Sequence, residues 1–133
     1  MERVSRLLAS MKERRGYLLP FHVLLAEHDP EFLESYNALL EAAFLDPRAL
    51  DRRTKELVLI GILTAISAPA SHIEAHMRAA LAAGASSKEV LEGLELVMPS
   101  AGAARFMEGL EVWHKVVQAE APTSEVLEAD PSS

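Results

Sequence analysis

Apolar residues recur at helical spacing along most of this 133-residue chain, between breaks that contain proline or glycine. In the first segment Val4, Leu7, Leu8 and Met11 follow the i, i+3, i+4, i+7 pattern of an amphipathic helix, and Gly16 ends it. No segment alternates convincingly between apolar and polar residues as a strand does. The pattern therefore predicts an all-α bundle of about six to seven helices joined by short loops.

Capping residues indicate where these helices begin and end. The predicted N-caps are Asp29, Asp51, Ser71 and Ser86, the last in a capping box with Glu89. The predicted helices span residues 3–15, 21–27, 30–45, 52–67, 72–83, 88–98 and 101–118, and Gly84 is the left-handed residue that ends the fifth. We expect one domain over residues 1–119 and a disordered tail over 120–133, which contains two prolines and several serines.

Composition argues against several kinds of partner. The chain has 20 acidic and 13 basic residues, and its net charge of -7 repels phosphate backbones and anionic lipid. The longest apolar run, Leu57 to Ile66, is about half of the ~20 residues that a membrane span needs. We therefore expect a cytoplasmic protein with no nucleic-acid or membrane partner. Amide side chains are nearly absent while charged residues abound, which is typical of thermophilic proteins.

The candidate functional residues surround the fifth predicted helix. His72 and His76 are four positions apart, so they lie on one helix face. Imidazoles exchange protons near neutral pH, and a buried carboxylate such as Glu56 orients them. These three residues form the predicted acid/base site. Arg78 and Arg105 are the nearest cations in sequence for a substrate carboxylate, although a neighbouring subunit offers others.

Two other interpretations of the same residues stay open. The histidine spacing also suits one metal ion, with Glu56 or Glu74 completing the ligands, although the order differs from the His-Glu-x-x-His of zinc peptidases. Alternatively, the carboxylate pairs near a helix start and the histidines fill polar niches at an interface. The remaining conspicuous residues are expected to be structural: His22, His28 and His114 as surface or core histidines, and Met98, Phe106, Met107 and Trp113 in the core or a subunit contact.

The fourth predicted helix is apolar on nearly every side after Glu56. Such a helix has to be surrounded by protein, and a chain of this length has few helices to surround it. The sequence therefore predicts burial between subunits, in a homo-oligomer.

The run LDRRTKELV from Leu50 to Val58, followed by HMRAAL at 76–81 and an Ala-Gly turn, resembles the carboxymuconolactone decarboxylase family, which includes the alkylhydroperoxidase D proteins. The resemblance covers about Leu50 to Trp113. It implies all-helical subunits that assemble as trimers or hexamers.

The sequence also departs from this family, at the positions of a cysteine pair. In the peroxidase branch a glutamate precedes a Cys-x-x-Cys pair, and a histidine follows the second cysteine by four positions. Glu56 and His76 fall at the glutamate and the histidine, whereas Pro69 and His72 occupy the cysteine positions, and the chain has no cysteine at all. A dithiol peroxide cycle needs a thiolate and a resolving sulfur, so we predict no thiol peroxidase activity.

The decarboxylase branch is closer in kind, because it moves protons without a cofactor or a cysteine pair. We predict cofactor-free chemistry of the decarboxylase or isomerase type on a small carboxylated compound. The family's Gly-x-Pro-Ala-Ala segment reads SAGAA at 100–104 here, so the family's own substrate is not carried over. The alternative is a non-catalytic oligomeric binding protein that kept the fold after losing the cysteines.

Overall fold

A computed structural model of the protein describes residues 2–120, which are helical almost throughout. The helices are α1 (Glu2–Arg15), α2 (Pro20–His28), α3 (Pro30–Leu40), a π-helical turn (Glu41–Leu45), α4 (Arg52–Ala65), α5 (Ala70–Ala82), α6 (Ser87–Glu95), α7 (Val97–Ala101) and α8 (Ala103–Glu120). These residues form no strand, so the predicted all-α class is confirmed. None of the helices within 2–120 is both long and apolar enough to cross a bilayer. The predicted tail, apart from Glu120, lies outside the described residues.

Three of the predicted N-caps are confirmed by hydrogen bonds from backbone N–H groups. Asp29 Oδ1 accepts one at 3.2 Å and Asp51 Oδ1 accepts one at 2.8 Å, in each case from the residue three positions on. Ser86 Oγ accepts from the Glu89 N–H at 3.0 Å, and Glu89 Oε1 accepts from the Ser86 N–H at 2.9 Å. Gly84 has the predicted left-handed backbone, with φ of 101°. These starts and stops depend on local chemistry, which explains why the sequence identifies them.

The predicted cap at Ser71 is wrong. Helix α5 begins at Ala70, and Pro69 stands at the N-cap with φ of -53°. The Pro69 carbonyl accepts from the N–H groups of His72 at 2.9 Å and Ile73 at 3.2 Å. The proline ring fixes φ near its helical value, so the helix begins before Ser71 and places that serine inside the first turn.

The predicted helix over residues 88–98 is also wrong at its end. Pro99 has no N–H to donate to the Glu95 carbonyl, and its ring crowds that oxygen. Helix α6 therefore stops at Glu95, and the short α7 follows after Leu96. Gly102, with φ of 95°, separates α7 from α8.

The chain divides into two compact units, Met1–Glu56 and Leu57–Ser133, with the boundary inside α4. The single domain over residues 1–119 stays a prediction, because the division into two compact units does not show whether they unfold together or separately. In the first unit, α1, α2 and α3 bury Met11, Ala26 and Leu33 against one another. Their apolar stripes at helical spacing supply this small core.

The second unit has the larger core, to which α4, α5, α6 and α8 contribute. Its buried residues are Ile60, Leu63, Ile73, Met77, Ala80, Ala85, Val90, Leu94 and Val116. Phe106 and Trp113 pack against this core as expected, whereas Met98 and Met107 are exposed in the single chain. Gly109 lets α8 approach α4 closely, because a Cβ at Gly109 would lie 2.6 Å from Cγ2 of Thr64 on α4.

Candidate functional site

Helix α5 carries two histidines whose rings adjoin. The ring centroids of His72 and His76 are 5.1 Å apart, and the ring planes are inclined by 43°. His76 is 2% exposed, while His72 is half-buried. Ile73, Met77 and Ala80 hold this side of α5 in the core, so His76 is carried inward with them. The two imidazoles share one face of the helix, as their spacing predicts.

The environment of His72 favours its neutral form. Burial lowers the pKa of His72, and the neighbouring His76 lowers it further. Desolvation disfavours the imidazolium, and a second positive charge nearby is repelled. The lowered pKa therefore favours the uncharged imidazole of His72, which is the form that accepts a proton.

The environment of His72 predicts the midpoint of its titration. The midpoint, followed by NMR of its imidazole protons, is expected below the usual ~6.5. In a His76→Gln variant the midpoint should rise only part of the way, because burial is the larger cause. Because its pKa is lowered, His72 binds a proton less readily in the folded protein than in the unfolded chain. Neutral His72 therefore leaves the free energy of unfolding at its full value above pH ~6.5, and this free energy falls as the pH drops from there towards the folded pKa of His72. A midpoint at or above the ordinary value would contradict this environment.

Charged side chains line the exposed side of the same helix. Glu74 accepts from Lys115 Nζ at 2.9 Å and from Arg78 Nε at 3.2 Å, and Arg78 also lies 3.8 Å from a Glu120 carboxylate oxygen. These pairs tie α5 to α8 and lower the pKa of Glu74, chiefly through Lys115. Arg105 is exposed near the start of α8. Substrate binding by the two arginines stays a prediction.

Glu56 belongs to the first unit, where it is fully buried. Arg52 Nε donates to Glu56 Oε1 at 2.9 Å, and Arg52 Nη2 donates to the Arg15 carbonyl at 3.1 Å. The Arg52 guanidinium also lies 4.9 Å from the centre of the Phe44 ring. Since α4 begins at Arg52, the i, i+4 spacing brings this pair together. The predicted carboxylate is thus buried beside a cation that stabilises its charge.

Tyr17 is a titratable residue that sequence reasoning missed. Burial raises the pKa of Tyr17 to about 12, and the nearby charge of Glu56 adds to the shift. At neutral pH the phenol therefore keeps its proton and is a donor. No motif surrounds Tyr17, which follows the glycine that ends α1, so only the tertiary structure reveals its setting.

The remaining histidines are on other helices, His22 and His28 on α2 and His114 on α8. His22 is buried, and its Nδ1 accepts from the Leu19 N–H at 3.0 Å. His28 and His114 are exposed. Within residues 2–120 no three His, Asp or Glu side chains are grouped as a metal ion would require. A metal ion at this site would have His72 and His76 as ligands but no third His, Asp or Glu ligand within residues 2–120.

An open apolar groove of about 590 Å³ lies in the second unit, between α4 and the α6–α7 segment. Its walls include Val58 and Ile62, which are 52% and 50% exposed, and Leu96, which is 71% exposed. Glu89 and Glu92 supply its acidic groups. The groove offers apolar contact but carries neither of the α5 histidines among its lining residues.

The sequence profile of the Carboxymuconolactone decarboxylase family matches residues 30–115, from the start of α3 into α8. The fold is similar to the crystal structure of a "putative carboxymuconolactone decarboxylase" from Burkholderia xenovorans LB400, with a TM-score of 0.79 and 26% sequence identity. That likeness covers 90% of this chain and 92% of the other. No curated protein matches the sequence.

Proposed function

This chain belongs to the carboxymuconolactone decarboxylase family, and we propose on that premise that it is a cofactor-free acid/base enzyme acting on a small carboxylated compound. The reaction is of the decarboxylase or isomerase type. The observation that carries the proposal is the adjoining pair of His72 and His76, whose rings are 5.1 Å apart. Two adjoining imidazoles suit a reaction in which one group removes a proton and another supplies one.

The chemistry balances without a metal or a redox partner. In decarboxylation the bond to the carboxylate carbon breaks, carbon dioxide leaves, and the electron pair passes into an enolate formed with a neighbouring carbonyl of the substrate. An imidazolium of the pair then protonates carbon, and the neutral imidazole recovers its proton from water. In isomerisation the neutral imidazole removes the proton and returns it to another carbon. Such proton transfer contributes about 10²–10⁴-fold to a rate.

The proposed active site also includes three residues that were predicted from the sequence: Glu56, Arg78 and Arg105. Glu56 takes the position of the family's acidic residue, and its buried charge favours a positive group nearby. The arginines are the proposed cations for the substrate carboxylate. Arg105 is exposed, whereas Arg78 is engaged with Glu74 and has one further pair.

The direct test is an assay of purified protein with carboxymuconolactone and related lactone acids, following release of carbon dioxide and the spectrum of the ring. We expect carbon dioxide release, or a shift of a double bond, with at least one such acid. Peroxide reduction is expected to stay at the level of a heat-killed control, because the chain has no thiol. Saturable binding of these acids without turnover would favour the non-catalytic alternative and overturn the proposed chemistry.

We also propose that the protein is a homo-oligomer, a trimer or hexamer, whose subunits meet at the apolar face of α4. Val58 and Ile62 on α4, and Ile66 just after its end, follow one another at i, i+4 and i+8, and each is at least half exposed in the single chain. Val58 and Ile62 line the apolar groove together with Leu96, which is 71% exposed. Exposed apolar side chains grouped in this way are typical of protein–protein contacts. In the proposed oligomer, a second copy of the chain packs against this face and buries its apolar side chains.

Placing a charge on this face tests the assembly. Ile62→Glu is expected to convert the oligomer to monomer in sedimentation or light-scattering measurements, because a buried carboxylate has no partner there. Leu24→Glu is the matched control, since Leu24 on α2 is 58% exposed and does not line the groove. A wild-type protein that is monomeric at all concentrations, or an unchanged Ile62→Glu oligomer, would contradict this interface.

A further inference from the structure

The turn between α4 and α5 contains Ser67, the one residue other than glycine with a left-handed backbone among residues 2–120. Its φ is 58°. The Ser67 N–H donates to the Thr64 carbonyl at 3.1 Å, and the Ala68 N–H donates to the Leu63 carbonyl at 2.9 Å. These two bonds are the Schellman motif that ends a helix, with Ser67 at the position where glycine is usual.

A serine at this position is strained. The left-handed backbone brings the Cβ of an L-residue close to the following carbonyl oxygen, a contact that glycine avoids because it has no Cβ. The end of α5 has glycine for this purpose, since Gly84 has φ of 101°. Strained residues persist where the surrounding structure outweighs the cost, and they cluster at functional sites. The side chain of Ser67 therefore contributes an interaction that glycine cannot make.

That interaction joins the turn to α8. Ser67 Oγ donates to Glu108 Oε2 at 2.7 Å, a length typical of a hydrogen bond to an ionised carboxylate. Further along, Glu74 on α5 accepts from Lys115 at 2.9 Å. In both pairs the residues are 41 positions apart, so the turn and α5 run alongside α8 in the same direction and in one register.

His72 lies between these two contacts along the chain. It is in the first turn of α5, where its N–H donates to the Pro69 carbonyl at 2.9 Å. The first turn of a helix lacks the i−4 bonds that hold the helix interior, and helix ends fray. The Glu74 pair restrains α5 after His72, and the Ser67 bond restrains the turn before it. Loss of the Ser67 bond thus removes the restraint on the side where the helix frays.

We propose that Ser67 is a positioning residue for His72, whose bond to Glu108 fixes the start of α5 and with it the imidazole. The inference rests on the proposed function only for the proton transfer that it assigns to His72. A general base has to lie within hydrogen-bond reach of the proton that it removes, so a displacement of about 1 Å lowers a rate by about 10²-fold. The strained backbone places a hydroxyl donor at the one point of the turn from which it reaches α8.

Amide hydrogen exchange and NMR titration of the purified full-length protein test the position of His72. Glu108→Met removes the acceptor and leaves the strained residue unchanged, and Glu111→Met is the matched control, since Glu111 is likewise an exposed glutamate of α8. We expect the His72 N–H to exchange about tenfold faster in Glu108→Met than in Glu111→Met. The titration midpoint of the His72 imidazole should rise towards its ordinary value, because a loosened helix start exposes the ring to water.

Two substitutions at Ser67 separate the strain from the hydrogen bond. Ser67→Gly relieves the strain but removes the donor, so it should unfold at the same denaturant concentration as Glu111→Met while it exchanges as fast as Glu108→Met. Ser67→Asn tolerates the left-handed backbone and keeps a donor, so it is expected to restore slow exchange and the low midpoint of His72. On a lactone acid that the protein transforms, Ser67→Gly should lower kcat with little change in KM, and Ser67→Asn should restore it.

Each outcome supports or overturns the positioning role. Exchange and titration of His72 in Glu108→Met that match Glu111→Met would overturn it, as would unchanged values in Ser67→Gly. If Ser67→Asn behaves as Ser67→Gly does, the donor is not what fixes the helix, and the proposal fails. Exchange and titration do not depend on turnover, so a protein that shows these changes but transforms no lactone acid contradicts the proposed function and not the role of Ser67.

Discussion

Replacing His76 by glutamine is expected to lower turnover of any lactone acid that the protein transforms by about 10²–10⁴-fold, the usual contribution of one general acid or base. Glutamine fills a similar volume and still forms hydrogen bonds, but it neither accepts nor releases a proton near neutral pH. His76 is 2% exposed and adjoins His72, so no bulk water replaces it as the proton donor at the same position. The loss should fall on kcat.

His114→Gln is the matched control, because His114 is an exposed histidine on α8. It should retain wild-type turnover. Circular dichroism and sedimentation of both variants show whether helix content and assembly are kept. Turnover of His76→Gln within twofold of the wild type would remove His76 from the mechanism. A parallel His72→Gln variant shows which imidazole is the base, since only the base's loss removes the rising limb of the pH profile.

Replacing Arg52 by methionine is expected to lower the free energy of unfolding by about 3 kcal/mol. Glu56 is fully buried, and Arg52 Nε is 2.9 Å from one of its oxygens. Methionine removes that charge and also the donor to the Arg15 carbonyl. Removing one partner of a buried pair typically costs 3–5 kcal/mol, and the 30% exposure of Arg52 places this pair towards the low end.

Denaturant unfolding at fixed protein concentration measures the loss, so that assembly contributes equally to each variant. Arg48→Met is the control, since exposed Arg48 makes, within residues 2–120, just one side-chain hydrogen bond, of 3.4 Å to the Ala42 carbonyl. Its change should stay within about 0.5 kcal/mol. Equal effects of the two substitutions would mean that the pair at Glu56 contributes no more than a surface pair does.

These experiments also distinguish the enzyme from the binding protein. An enzyme loses turnover on His76→Gln, whereas a binding protein loses only affinity. Ile62→Glu adds a third, independent measurement, since it concerns the apolar face of α4 alone.

The sequence was sufficient for most features that depend on neighbouring residues alone. Helical periodicity gave the all-α class, and side-chain caps at Asp29, Asp51 and Ser86 gave the corresponding helix starts. The adjoining rings of His72 and His76 followed from their spacing on one helix. Local reasoning failed at Pro69 and Pro99, where the backbone restriction of proline outweighed the side-chain and periodicity signals used to set the boundary.

Only the tertiary structure decided which charges are buried and what they meet. Nothing near Arg15 in sequence indicates that it lies against Asn37, because that contact joins α1 to α3 across many intervening residues. The raised pKa of Tyr17 likewise depends on burial and on Glu56, which is distant in sequence. Desolvation and long-range pairing are set by the packed helices. The sequence by itself therefore determined the helices and the histidine pair, while the packing decided the buried cation and the half-exposed apolar face of α4.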